Sequence, residues 1–165
     1  MSRGFVKEDD QEEPPFVPPR ASLPLGVDNY VTSEGFELLK QEREELLQSR
    51  KKTLSLSERD RRRENTVIDV KISQLDERID SAQLIEHNEH PSEVRFGVEV
   101  SFKPVSPKGP LRTFKIVGVD EANIRVLKVS FTAPIVQAMM GKHVGDTFAF
   151  EQAGTPIQFE ITNIA

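Results

Sequence analysis

Asp60 and Glu64 stand four residues apart in the run RDRRREN. On a helix that spacing puts both carboxylates on one face. Two such groups can offer oxygen ligands to a hard divalent cation. The same residues also have an ordinary use: Asp60 near a helix N-terminus satisfies the macrodipole, and Glu64 can pair with neighbouring arginines. Seven cations surround them, Arg50, Lys51 and Lys52 on one side and Arg59, Arg61, Arg62 and Arg63 on the other. Brought together, these repel one another and invite an anion such as RNA phosphate or an acidic protein wall. Interleaved with Glu58, Asp60 and Glu64, they equally make a solvated surface. His87 and His90 lie three apart beside Glu86 and Glu89, a spacing that can ligate a metal. Placed just before Pro91, they read instead as hinge or surface histidines, as does His143. There is no cysteine, which excludes disulfides, Cys-ligated zinc and thiol catalysis.

The 165 residues carry a net charge of -5, so global attraction to DNA is not expected. No apolar run approaches the ~18 residues that suggest a membrane span. The start, MSRGFVKEDDQEE, lacks the apolar core of a secretory signal, and a cytoplasmic protein is expected.

Three segments must position the charged cluster. Residues 1–29 hold five of the eleven prolines and an acidic run from Glu8 to Glu13. They read as a disordered, Pro-rich acidic tail. Its isolated apolar residues Phe5, Val6, Phe16 and Val17 either dock on a partner or belong to a solubilising leader. Residues 30–87 contain no proline and read as two helices. Thr32 or Ser33 caps the first, whose stripe of Phe36, Leu39, Leu46 and Leu47 is interrupted by Arg43. Ser57 caps the second, and Ile68, Ile72, Leu75, Ile79 and Ala82 follow a heptad spacing. Neither stripe can be buried alone, so the pair is expected as an antiparallel hairpin, a coiled-coil arm. Its turn would gather all seven cations at one end.

Residues 88–165 change period. Val94 to Phe102, Phe114 to Val117, Val126 to Phe131, Phe148 to Phe150 and Ile157 to Ile164 read as strands. PVSPKGP (104–110) and Gly154-Thr155-Pro156 read as turns. Pro134 opens one short helix, PIVQAMM, that Gly141 ends, with Met139 and Met140 as core. The fold class is α+β: an antiparallel sheet carrying a single helix, behind a helical hairpin. No helix-turn-helix pattern occurs, so sequence-specific DNA binding is not expected.

The order of parts resembles the bacterial GreA/GreB family of transcription elongation factors. NYVTSEGFELLKQE is similar to the opening of the family's first arm helix, and SAQLIE to the arm's exit. RTFKIVGVDEA and SFTAPIVQAMMGKHVGD are similar to two stretches of its C-terminal domain. The resemblance implies an FKBP-like domain at 88–165 that docks on RNA polymerase at the rim of the secondary channel. Thr132, Ala133, Pro134 and Ile135 match the contacting turn. It implies an arm that passes down the channel, with acids at its tip helping the polymerase hold a second Mg²⁺ and cut backtracked RNA. By this resemblance Asp60 and Glu64 are the metal-assisting candidates. The basic tip is a candidate contact for the nascent RNA 3′ end, and a monomer is expected. It is itself no enzyme and carries no resident cofactor.

Two departures from the family stand out. The family tip reads G-D-x-x-E-N, with acids three apart, whereas here they are four apart and no glycine precedes Asp60. From Thr32 to Lys52 a helix spans only ~30 Å, shorter than family arms. A polymerase-binding regulator that occupies the channel without promoting cleavage, of the Rnk type, is therefore the alternative expectation. An FKBP-type prolyl isomerase is a remoter one, because residues 88–165 hold no Trp or Tyr to line a pocket.

Overall fold

A computed structural model describes residues 13–86, 91–106 and 108–165. His87, His90, Phe5 and Val6 lie outside the described residues. Among those described, no helix is long and apolar enough to cross a membrane.

The arm is a helical hairpin. Helix α1 runs Ser33–Lys52 and helix α2 runs Glu58–Asp80, joined by a 3-10 turn at Thr53–Ser55. Thr32 is the cap of α1, its Oγ1 accepting from the Gly35 N–H at 2.9 Å. Ser57 caps α2, accepting from the Asp60 N–H at 3.2 Å. The two stripes meet as their spacing requires. Leu75 is fully buried, Leu39 and Ile68 nearly so, and Phe36, Leu46, Ile72 and Ile79 are half-buried. The interruption at Arg43 is also explained. Its Nε donates to Asp76 of α2 at 2.6 Å, so the position carries a cross-hairpin ion pair instead of an apolar contact. An exposed pair of this kind is screened by solvent and adds little to stability.

The heptad reading runs one position too far. Ala82 belongs to a short strand, β2 (Ala82–Leu84), that pairs in parallel with β1 (Asn29–Val31). This ribbon clamps the entrance of the arm to its exit. Asn29 reinforces it by donating from Nδ2 to the Arg78 carbonyl (2.9 Å) and to Ser81 Oγ (3.1 Å).

The C-terminal sheet has five strands: β3 (Glu99–Pro104), β4 (Arg112–Val117), β5 (Lys128–Ser130), β6 (Thr147–Gln152) and β7 (Thr155–Ile164). Their order is β5-β4-β3-β7-β6. The expected antiparallel sheet is in fact mixed, because β4 and β5 pair in parallel. Two expected strands are shorter than the alternation suggested. Val94, Phe96 and Val98 are buried but precede β3; Val94 reaches the chain beyond helix α3 (Pro134–Met139), its N–H donating to the Lys142 carbonyl at 2.8 Å. Ile124–Val126 forms a 3-10 turn, and Leu127, at φ 57°, turns the chain into β5.

Phe102 sits at the centre of the sheet's core. Its ring meets Phe114, Phe148 and Phe159 edge-on at 5.4–5.5 Å, and Phe148 stacks on Phe159. Helix α3 covers this cluster with Val136 and Met139, both fully buried. Met140, expected in the core, is exposed because the helix has ended: its backbone is extended and Gly141 follows at φ 73°.

Candidate functional site

Two places hold the residues singled out above, the arm tip and the turn before α3. A third, the junction between them, was not anticipated.

At the tip, the hairpin brings the chain segments around Lys52 and Asp60 together. A cleft of about 630 Å³ is lined by Ser49, Lys52, Thr53, Asp60, Arg63, Glu64 and neighbours. Asp60 and Glu64 therefore share one cleft, as a four-residue spacing on a helix requires. Both lie in the first turns of α2, behind the apex at Thr53–Ser57, not on it. Ser57 Oγ donates to Asp60 Oδ2 at 2.6 Å while accepting the Asp60 N–H, so this carboxylate also completes the helix cap. Glu64 is exposed and forms no ion pair with the arginines around it among the described residues. Two carboxylates leave most of a divalent cation's oxygen shell to other donors. Among the described residues no group of three or more His, Asp or Glu could hold a metal ion. A cation in this cleft would take its remaining ligands from water or from a second molecule.

The basic cluster is smaller than seven. Arg50 is spent within the arm, pairing with Asp69 of α2. Lys51, Lys52, Arg61, Arg62 and Arg63 form no ion pair among the described residues, and all but the half-buried Arg61 are exposed. The tip thus carries a positive surface on a chain that is negative overall. Leu54 and Leu56 stand exposed beside it, at 74% and 42%.

In the second place, Thr132 and Ala133 form the half-buried approach to α3, Pro134 is exposed at its first turn, and Ile135 is half-buried. The turn is rigid. Ser130 and Thr132 hydroxyls bond at 2.8 Å, and Gln137 Nε2 donates to the Phe131 carbonyl at 2.7 Å. His143, also singled out by type, is exposed and lies 3.5 Å from Asp146, whose carboxyl is held below its usual range mainly by the His143 backbone N–H.

The junction joins these two places. Tyr30 of β1 packs on Phe96 and Phe131 at 5.8 and 5.5 Å. Gly118 lies so close to the Tyr30 carbonyl that a Cβ there would fall 2.6 Å from its oxygen. Glu121 is buried and accepts from Thr32 Oγ1 at 2.5 Å and from Lys128 Nζ at 3.0 Å. Lys128 also pairs with Glu34 at 2.7 Å. Burial works against the Lys128 ammonium, but its bonds to Glu34 and Glu121 outweigh that and hold its pKa above the usual lysine value. The Lys128 hydrogen bond likewise holds Glu34 below its ordinary value of 4.5. The motif VDEA carried the family resemblance, yet its acids are structural. Two adjacent carboxylates directly after an apolar strand were the available signal that charged partners must meet them there.

The lowered pKa of Glu34 makes an expectation about pH. A carboxyl depressed by folding contributes stability that is complete above its ordinary value and is lost as pH falls through the lowered one. Thermal unfolding followed from pH 6 down to about pH 3 is expected to show a steeper loss for the wild type than for Glu34→Gln. Parallel curves would mean that the Lys128–Glu34 pair does not couple to folding.

A helical arm with positive charge at its free end adjoins a mixed sheet, on which Pro134 is exposed at the entry to α3. Residues 88–165 match the family described as transcription elongation factor, GreA/GreB, C-term. Residues 88–165 thus belong to the C-terminal domain of the GreA/GreB transcription elongation factors. It is 34% identical over 96 residues to transcription elongation factor GreA of Legionella pneumophila, covering 57% of this chain and 59% of that one. To GreA of Hyphomonas neptunium it is 40% identical over 80 residues, 48% and 50% of the two chains. The chain thus spans about three fifths or less of the length of these curated relatives. A GreA/GreB factor structure from Nitrosomonas europaea covers 84% of the chain and 98% of its own at 19% identity, with a TM-score of 0.41, too loose a likeness to carry a claim.

Proposed function

We propose that this protein binds RNA polymerase as an elongation factor and helps rescue backtracked complexes by stimulating transcript cleavage. The observation that carries the reading is the match of residues 88–165 to the GreA/GreB C-terminal domain. In this reading residues 88–165 form an FKBP-like docking domain that meets the rim of the secondary channel through Thr132 to Ile135. Residues 30–87 form the arm that enters the channel, behind an acidic tail at 1–29. Asp60 and Glu64 lend their carboxylates to a Mg²⁺ whose remaining ligands come from the polymerase. Lys51, Lys52 and Arg61 to Arg63 offer charge to the RNA 3′ end. The factor supplies no active site of its own, acts as a monomer and works in the cytoplasm.

The experiment is RNA cleavage by a stalled, backtracked elongation complex at saturating factor, with wild type beside Asp60→Asn/Glu64→Gln. Wild type is expected to accelerate cleavage, and the double variant to lose about tenfold or more of that gain while still binding. Binding without any gain from the wild type would make the protein a channel-occupying regulator. Absence of binding would remove the polymerase reading altogether.

A further inference from the structure

Residues 18–27 precede the arm and form no helix or strand, yet they touch both halves of the molecule. We propose that this segment is a strap that holds the arm at one angle on the sheet domain, with Arg20 as its clasp.

The geometry is a ring of charges drawn from four parts of the chain. From the strap, Arg20 donates both terminal nitrogens to Glu42 of α1, at 2.7 and 2.9 Å. Its Nε donates to Asp120 of the sheet domain at 2.8 Å. Arg78 of α2 lies 3.3 Å from the other Asp120 oxygen, an atom with no hydrogen bond of its own, and closes the ring by donating to the Ala21 carbonyl of the strap. Glu42 first, and Asp120 after it, hold the Arg20 guanidinium still more firmly protonated than usual. One planar fork thus bridges arm and sheet, which a point charge on a flexible stem cannot do in the same way.

The flanking residues give the strap its purchase. Toward the sheet domain, Leu23 and Val27 pack on its core. Toward the arm, Pro18 and Pro19 line a shallow cleft with Leu46, Lys71 and Gln74. Prolines restrict the free chain, so ordering this stretch costs less entropy than ordering a flexible one. The strap adds a further tie to the junction of Tyr30, Thr32 and Glu34 with the sheet domain; units of one chain move relative to each other by default unless their interface is large and hydrophobic. The strap concerns the isolated chain; only its use, presenting the arm to a channel, rests on the polymerase reading.

The absence of cysteine makes the test direct. Ser55→Cys at the apex and Ala149→Cys on the exposed face of β6 take a dye pair for single-molecule energy transfer on the full chain. The otherwise wild-type protein is expected to give one narrow distribution at about 0.1 M salt. It is expected to broaden toward 1 M salt, where the Debye length falls to about 3 Å. Arg20→Ala and Arg20→Lys are expected to be about twofold broader at low salt already and to respond little to more of it. The lysine variant keeps charge and stem, so broadening at unchanged helicity reports loss of the fork and not of folding. Equal widths for the wild type and both variants at low salt would overturn the strap. Failure of the cleavage experiment would leave these widths as they are.

Discussion

Phe102→Ala is expected to destabilise the sheet domain by about 3–5 kcal/mol. Phe102 is 1% exposed and lies between three other rings. Removing it forfeits the transfer of a whole ring from water and leaves a cavity. The cavity cannot collapse easily, because Phe114, Phe148 and Phe159 belong to three different strands whose spacing is set by ladder hydrogen bonds. Urea unfolding should show a lower midpoint at nearly constant slope. Phe102→Leu, which refills much of the space, should lose less than half as much. A loss below about 1 kcal/mol for the alanine variant would mean that the cluster repacks as a fluid would.

Glu121→Ala is expected to cost about 2–4 kcal/mol and to loosen the arm's base before the sheet itself. Its side chain is 2% exposed and satisfies Lys128 and Thr32 together. Without it, Lys128 keeps only Glu34, a partner 57% exposed and well screened. The Thr32 hydroxyl loses its acceptor, although its bond from the Gly35 N–H survives. The chain has one tyrosine and no tryptophan, so Tyr30 emission reports this junction without any added probe. Its transition should move to lower denaturant than that of the helical signal in the variant, while the two coincide in the wild type. Coincident transitions in both proteins would show that the junction and the arm unfold as one unit irrespective of Glu121.

Local periodicity was sufficient for much of this. The four-three spacing from Ile68 to Ile79 requires a partner helix, and Ser57 and Thr32 mark where the two helices begin. Those are short-range properties, settled by caps and side-chain spacing within a few turns. The same range made Asp60 and Glu64 legible as one-face neighbours. It could not show that Asp60 shares its carboxylate with the Ser57 cap, or that Arg50 is absorbed by Asp69 across the hairpin. Alternation also overstated two strands. Val94, Phe96 and Val98 alternate because they fill a core from an irregular segment, and burial leaves the same mark on sequence as a ladder does.

What the residues determined alone was therefore a charged two-helix arm followed by a sheet with one helix. In addition, the motifs of the last 78 residues carried a resemblance that the match to the GreA/GreB C-terminal domain bears out. What only the tertiary structure decided was how these parts are held. The parallel pairing of β1 with β2, the partners of Asp120 and Glu121, and the reach of Arg20 to Glu42 all join residues distant in sequence. Such contacts depend on where whole elements come to rest, and no local pattern encodes which of many carboxylates a given arginine will meet.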